Sequence, residues 1–217
     1  MGDFLVMKTL DDVVVDGKST ALIVVDVVID ICEDGFGYDR NGWGRLDRMP
    51  ILEMVDKSLV PFVRHSKGKI PIVFVNSEYS SDEFKDDPYP IINFCIAGTE
   101  GVKFYHLDPQ DASRVFTKHH LSALLQHPYE EQKPTELHKW LQRHGITKQM
   151  ITGITSTHCI PINVEHAVQL GYQVILLRDL IAARAERLPS HNENIKKYEE
   201  HNSVLVVNSS QIKYIAR

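Results

Sequence analysis

Short apolar segments alternate with amphipathic segments along most of the chain. The apolar segments have strand length and are rich in β-branched residues, whereas the segments between them repeat apolar residues every three or four positions, as helices do. We predict strands over residues 21–29, 70–75, 114–116, 150–154, 173–177 and 204–207, of which 114–116 is the weakest. We predict helices over residues 51–66, 135–144, 158–170 and about 190–201.

Glycines mark the ends of three predicted helices. Gly68, Gly145 and Gly171 each follow a helical segment and precede the next strand, where glycine commonly caps a helix. Strands joined by helical crossovers form a mostly parallel sheet covered on both faces. We therefore expect residues 1–217 to form a single domain with a doubly wound, Rossmann-like α/β fold and a five- or six-stranded sheet. Residues 77–113 show no sustained period, and we expect a long functional loop there.

Composition and charge remove several classes of function. The 43% of hydrophobic and 24% of charged residues are ordinary for a globular protein. The net charge of −5 and the scattered basic residues provide no surface for nucleic acid. The apolar runs at residues 21–25 and 27–29 are too short to span a membrane, which takes about 20 residues. We expect neither nucleic acid nor a membrane as a partner.

The cysteines and the first residues bear on location. Cys32, Cys95 and Cys159 are odd in number and lack CxxC spacing, so we expect reduced thiols rather than disulfides or a zinc cluster. The segment that starts at Met1 has no basic stretch followed by a long apolar one. We therefore expect a cytoplasmic protein.

Three reactive side chains lie near the ends of predicted strands, where ligands bind in open parallel sheets. Asp26 interrupts the first strand, Lys118 follows the weak third one, and Cys159 begins the helix after the fourth. A thiol at a helix N-terminus is expected to have a lowered pKa. Taken singly, each residue also has an ordinary structural explanation. Asp26 could be a turn carboxylate, Lys118 a solvated surface lysine and Cys159 an inert buried thiol. Together they match the base, the cation and the nucleophile of a covalent hydrolase.

Three segments in this order resemble the isochorismatase-like cysteine hydrolases, a family that includes nicotinamidases, carbamoylsarcosine amidases and isochorismatases. They are residues 21–26 (ALIVVD), 116–123 (FTKHHLSA) and 153–159 (GITSTHC). The resemblance extends from about residue 20 to about residue 210. Supporting matches are Gly98-Thr99, Ala167, Gly171-Tyr172 and Asp179.

The resemblance implies an isochorismatase-like fold and a catalytic role for Asp26, Lys118 and Cys159. It implies hydrolysis of a C–N bond in a small molecule of the amide, carbamoyl or ureide type, through a thioester. It also implies a cis peptide bond between Ile154 and Thr155, which would direct the backbone N–H groups of Thr155 and Cys159 to one oxyanion hole. Homo-oligomers are common in the family, so we expect one here, and we expect no cofactor.

Two departures from the family pattern concern the substrate. Residues 27–31 (VVIDI) replace a segment that is often Met-Gln-Asn-Asp-Phe in the family. Nicotinamidases bind a metal through Asp-x-His after the second strand, but residues 76–82 contain no histidine, so we expect no metal site. His158 is a candidate for substrate contact. Two alternatives stay open, an isochorismatase-type hydrolase of a vinyl ether and a non-catalytic binding or scaffold protein.

Overall fold

A parallel sheet of six strands forms the centre of the protein. The structure, a computed structural model, describes residues 12–82 and 93–215. The central strands are β2 (Thr20–Val25), β3 (Ile72–Ser77), β4 (Arg114–Lys118), β5 (Lys148–Ile154), β6 (Gln173–Ala182) and β7 (Val204–Val207). A second, two-stranded parallel sheet pairs β1 (Val13–Val15) with β8 (Ile212–Tyr214).

Seven α-helices accompany the sheets in the described part of the chain. They are α1 (Ile29–Cys32), α2 (Gly37–Arg40), α3 (Arg45–Met54), α4 (Val60–Ser66), α5 (Glu136–Arg143), α6 (Cys159–Gln169) and α7 (Leu188–Glu199). None of the helices within residues 12–82 and 93–215 is long and apolar enough to cross a membrane.

Helices cover both faces of the central sheet. Leu22 and Val24 of β2 belong to an apolar cluster with α3 and α4, whereas Ile23 and Val25 belong to a second cluster with α5, α6 and α7. Side chains alternate between the two faces of a strand, and here both faces are buried. This burial explains why the inner strands β2, β3 and β5 are largely apolar runs rather than alternating ones.

The strand order places a reversal between β2 and β5. The order across the sheet is β4-β3-β2-β5-β6-β7, and every neighbouring pair is parallel. Along the chain, β2, β3 and β4 follow one another toward one edge of the sheet, and β5, β6 and β7 follow one another toward the other edge. The predicted doubly wound α/β fold is confirmed, and crevices at such reversals are where ligands bind.

The first predicted strand was too long. We expected residues 21–29, but β2 ends at Val25 and α1 begins at Ile29. Asp26 has a positive φ of 53°, which turns the chain out of the strand direction. An apolar run that continues through residues 27–29 cannot reveal this turn, because the residues after it are also buried.

The first predicted helix was too short and too regular. It begins at Arg45 rather than at residue 51, and residues 55–59 form a π-helical turn between α3 and α4. The turn ends two residues before Pro61, whose ring would crowd the carbonyl of Lys57 in a regular α-helix. The wider turn lets the helix continue past this proline.

The remaining predictions differ from the structure by a few residues or concern short elements. The three glycines predicted at helix ends have φ values between 68° and 83°, as a left-handed helix cap requires. The three-residue strands β1 and β8 were missed, since such short runs carry no clear period. The predicted loop at residues 77–113 contains 3₁₀ turns at residues 100–102 and 109–111, and its residues 83–92 lie outside the described part.

Candidate active site

The structure brings Asp26, Lys118 and Cys159 into contact. Asp26 directly follows β2, Lys118 is the last residue of β4, and Cys159 is the first residue of α6. The Lys118 Nζ lies 2.9 Å from Asp26 Oδ2 and 3.4 Å from Cys159 Sγ. The three side chains lie at the carboxyl ends of the strands, next to the reversal between β2 and β5.

The backbone holds Asp26 in its unusual conformation. Its N–H donates to the carbonyl of Val75 at 2.8 Å, and its carbonyl accepts from the N–H of Val28 at 3.0 Å. The carboxylate is buried and accepts a hydrogen bond from Ser77 Oγ at 2.9 Å. Asp26 is thus neither a strand residue nor a solvated turn residue, and its carboxylate points into a buried polar cluster.

The turn that carries the thiol begins with a close contact between β5 and β2. The Ile154–Thr155 peptide bond is cis, and Gly153 has a φ of 113°. A Cβ atom at residue 153 would overlap the carbonyl oxygen of Val25. Only glycine therefore allows β5 to approach β2 at this point, where Asp26 adjoins the turn that leads to Cys159.

Neighbouring elements hold the centre of this turn through Ser156. Its N–H donates to the carbonyl of Ala182 at the end of β6, at 2.9 Å. Two residues of α7 bind it from the other side, His191 at 2.7 Å from Ser156 Oγ and Asn194 at 2.9 Å from the Ser156 carbonyl. The position of the thiol thus depends on β6 and α7, which lie far away in the sequence.

Two backbone N–H groups of the turn are available to a ligand. Within residues 12–82 and 93–215, neither the N–H of Thr155 nor that of Cys159 donates to a protein acceptor. Asn163 in the next turn of α6 donates to the Cys159 carbonyl at 2.7 Å, which fixes the start of the helix. Free N–H groups beside a nucleophile are the donors from which an oxyanion hole is built.

The thiol of Cys159 is neutral in the substrate-free site. Burial raises its pKa to about 12, and the Asp26 carboxylate adds to this rise, whereas the Lys118 ammonium opposes it. The lowered pKa expected from the helix N-terminus is therefore wrong for this state, because burial outweighs the favourable charges. Burial alone would lower the pKa of Lys118, but Asp26 and Cys159 hold that pKa well above its usual range.

A cavity of about 420 Å³ opens onto these groups. One wall is aromatic, since Tyr38 packs edge-on against Trp43 at 4.8 Å between ring centroids and stacks on Phe94 at 5.4 Å. A cavity of this volume suits a small molecule. Its lining residues are Asp26, Ile31, Tyr38, Trp43, Ser77, Tyr79, Phe94, Cys95, Leu121, Ile154, Thr155, Thr157, His158, Cys159, Arg184 and Arg187.

Arg184 braces the aromatic wall. Its guanidinium lies 4.1 Å from the centroid of Trp43 and pairs with Asp47 at 2.6 Å and Glu186 at 2.5 Å. Cations stack favourably on indole rings, and two carboxylates fix the direction of this one. Arg184 therefore joins α3 to the segment before α7 and holds Trp43 at the cavity.

His158 faces the cavity as a neutral imidazole at neutral pH. Its Nδ1 lies 3.2 Å from Thr155 Oγ1 and 3.0 Å from Thr157 Oγ1. Burial lowers its pKa, and the charges of Arg187 and Arg184 lower it further. The expectation that His158 contacts substrate is thus compatible with its place in the cavity wall.

The described residues do not fit a metal of the kind that nicotinamidases bind. In residues 12–82 and 93–215, no three His, Cys, Asp or Glu side chains are grouped as metal ligands. At the end of β3, the Asn76 side chain is engaged with Glu78 and with the Val102 carbonyl, and Ser77 is engaged with Asp26. We therefore derive no chemical step through a metal.

Sequence reasoning missed several residues of the site. Ser77 ends β3, so its position at a carboxyl strand end was a usable signal. Tyr38, Trp43 and Phe94 carried no such signal, because they lie on loops and short helices whose course is set by tertiary contacts. Arg184 follows β6 closely, but its stacking on a residue about 140 positions away is invisible in a single sequence.

Comparisons with known proteins identify the family and the fold. The family described as "Isochorismatase domain" matches residues 20–210. A probable inactive nicotinamidase of Arabidopsis thaliana is 28% identical over 187 residues, which cover 82% of this chain and 87% of that protein. The nicotinamidase/pyrazinamidase of Mycobacterium tuberculosis is 27% identical over 169 residues, which cover 75% and 86%.

A solved structure extends the similarity to the fold. The PnC1 protein of L. infantum, in complex with nicotinate, superposes with a TM-score of 0.72 at 18% identity, covering 93% of this chain and 98% of that one. At this identity the superposition is evidence for the fold alone. The family match spans most of the chain, and the chain belongs to the isochorismatase family of hydrolases.

Proposed function

We propose that this protein hydrolyses a C–N bond of a small amide, carbamoyl compound or ureide through a thioester on Cys159. The observation that carries the proposal is the contact of a buried carboxylate, a buried ammonium and a thiol at one cavity, with Lys118 Nζ 2.9 Å from Asp26 and 3.4 Å from Cys159. These are the base, the cation and the nucleophile that covalent hydrolysis needs.

In the first half of the reaction, Asp26 accepts the Cys159 proton while the sulfur attacks the substrate carbonyl. The neutral thiol requires this coupling, because a pKa of about 12 leaves almost no thiolate in the resting site. Lys118 stabilises the sulfur charge that develops. The carbonyl oxygen becomes an oxyanion and accepts hydrogen bonds from the N–H groups of Thr155 and Cys159. The C–N bond then breaks, and Asp26 returns its proton to the leaving nitrogen.

In the second half, water resolves the thioester. Asp26, again a carboxylate, takes a proton from the water that attacks the thioester carbon. The C–S bond breaks, Asp26 returns this proton to the sulfur, and the acid product leaves. Asp26 thus acts as base and then as acid in each half of the reaction, with Lys118 holding it in place throughout.

The test is turnover by the wild type and by Cys159→Ala on a panel of primary amides, N-carbamoyl compounds and ureides. We expect product from the wild type, none from Cys159→Ala, and an acylated Cys159 in the intact mass spectrum after acid quenching. Cys32→Ala is the matched control, since Cys32 is a buried thiol that does not line the cavity. Full activity of Cys159→Ala on this panel would exclude the thioester route. Turnover of a vinyl ether alone, retained in Cys159→Ala, would favour the vinyl ether alternative, in which the thiol is dispensable.

A non-catalytic role is the second candidate, because the curated relative from Arabidopsis thaliana is named a probable inactive nicotinamidase. In that case calorimetry would detect binding of compounds from the same panel, without product from any of them.

The cellular location and the oligomeric state of the protein are also proposals. We propose a cytoplasmic homo-oligomer, which fractionation of cells and light scattering of the purified protein would test.

A further inference from the structure

Ser77 lies at the centre of the buried polar cluster. It is the last residue of β3 and is only 2% exposed. Its hydroxyl donates to Asp26 Oδ1 at 2.9 Å and accepts from Lys118 Nζ at 2.6 Å. The Tyr79 hydroxyl donates to the same oxygen at 3.2 Å. One small side chain thus contacts both members of the ion pair beside the thiol.

The hydrogen-bonding capacity of Ser77 is fully used by these contacts. A serine hydroxyl has one proton and two lone pairs. The proton goes to Asp26, and the lone pairs accept from Lys118 and Tyr79. Lys118 carries no lone pair when protonated, so the direction of its bond is fixed. The Ser77 proton therefore has the Asp26 carboxylate as its acceptor.

Ser77 also affects which acceptors receive hydrogen bonds from the Lys118 ammonium. The ammonium has three protons. It has four acceptors within reach, namely Asp26 at 2.9 Å, Ser77 at 2.6 Å, the His120 carbonyl at 3.2 Å and Cys159 Sγ at 3.4 Å. The sulfur is the most distant of them. Removal of the Ser77 hydroxyl would leave one proton for each remaining acceptor.

We propose that Ser77 is a positioning residue that orients Asp26 and Lys118 for proton transfer from Cys159. It orients the carboxylate by donating to it, and it draws the ammonium toward the carboxylate rather than the resting thiol. This proposal rests on the proposed function, because a role in proton transfer from Cys159 requires that Cys159 is the nucleophile. Ser77 acts through its two charged neighbours.

The first arm of the test compares Ser77→Ala and Ser77→Thr with the wild type. In Ser77→Ala we expect kcat/KM to fall about tenfold or more, as the loss of one hydrogen bond to a charged group implies. The fall should lie in kcat, with KM little changed. The acidic limb of kcat/KM against pH should move to higher pH, because the carboxylate loses a donor that favours its ionised form. Ser77→Thr keeps the hydroxyl and should restore the position of that limb.

Ser66→Ala is the matched control. Ser66 is also a buried serine that shares a hydrogen bond with a tyrosine hydroxyl, that of Tyr214, but it lies on α4 outside the cavity. Its loss should lower stability without moving the pH profile. A Ser77→Ala enzyme that loses activity with an unchanged pH profile would show a merely structural role and overturn the proposal.

A second arm does not depend on turnover. The rate of Cys159 alkylation by iodoacetamide is measured against pH by mass spectrometry in the same variants. In Ser77→Ala the midpoint of the alkylation rate should move to lower pH. The Lys118 ammonium can then donate one hydrogen bond fully to the sulfur, which favours the thiolate. If the wild type hydrolyses nothing while this midpoint moves, the proposed function fails and the positioning role of Ser77 stands. If hydrolysis is found and neither pH profile moves, the proposal for Ser77 fails alone.

Discussion

Lys118 and Asp26 form a 2.9 Å ion pair in which both side chains are almost completely buried, with exposed fractions of 2% and 3%. Each charge lies far from bulk water and depends on the other and on the surrounding hydrogen bonds. Such pairs contribute little net stability compared with apolar packing, but the loss of one partner leaves an uncompensated buried charge. The pair is therefore consistent with the proposed function and is weak evidence for a stabilising role.

Replacement of Lys118 alone should be strongly destabilising. We expect Lys118→Met to lower the free energy of unfolding by about 3–5 kcal/mol, because Asp26 is left buried and unpaired. Urea unfolding of the variant measures this loss. The double variant Asp26→Asn/Lys118→Met should recover part of it, while Lys57→Met, which breaks an exposed pair with Glu53, should have little effect. Equal stability of the single and double variants would contradict the prediction.

Replacement of Asp26 should separate thiol reactivity from turnover. The carboxylate raises the pKa of Cys159, so Asp26→Asn should lower that pKa and speed alkylation by iodoacetamide at about pH 8. Turnover should nevertheless be lost, because no base remains. Cys32 serves as the internal control, since burial raises the pKa of its thiol and Asp26 is not among the charges that act on it. Slower alkylation in Asp26→Asn would show that the carboxylate promotes thiolate formation at rest.

Asp30 should affect substrate binding more than chemistry. Its buried carboxylate accepts from Gly37 N–H and Arg40 at 2.9 Å each and from Cys95 N–H at 2.5 Å. It therefore joins α2 to the segment at Cys95, and both contribute residues to the cavity wall. We expect Asp30→Asn to raise KM several-fold with a smaller change in kcat, measured by steady-state kinetics.

A matched variant for Asp30 is Asp16→Asn. Asp16 also accepts backbone hydrogen bonds, from Lys18 and Ser19, but in a turn before β2. Its replacement should leave KM unchanged. A fall in kcat at constant KM in Asp30→Asn would mean that Asp30 acts on the catalytic groups instead.

Stability should fall as the pH drops below about 6.5. Burial lowers the pKa of several histidines, so the unfolded chain binds protons in this range that the folded chain does not. The difference vanishes well above pH 6.5, and the urea midpoint should decrease from about pH 7.5 to about pH 5.5. His166→Gln should reduce this slope, while the exposed His65→Gln should not. The histidines with lowered pKa are His138, His158, His166 and His191.

The order of strands and helices was determined by the sequence itself. Inner strands of a parallel sheet are apolar on both faces, so runs such as residues 21–25 and 150–154 are visible without any tertiary information. The reactive residues were visible for the same reason. Polar side chains that directly follow apolar runs lie at strand ends, and parallel strands bring those ends to one edge.

Tertiary structure alone decided the protonation and the shape of the site. The thiol of Cys159 lies at a helix N-terminus, which favours the thiolate, yet burial raises its pKa. The sequence near Cys159 does not show this burial, because residues from distant parts of the chain produce it. The left-handed turn at Asp26 depends on the Val75 carbonyl, and the place of Trp43 depends on Arg184. The local sequence shows periodicity and residue type, which are enough to predict strands and helices. Desolvation and long-range contacts depend on neighbours in space, which only the folded chain brings together.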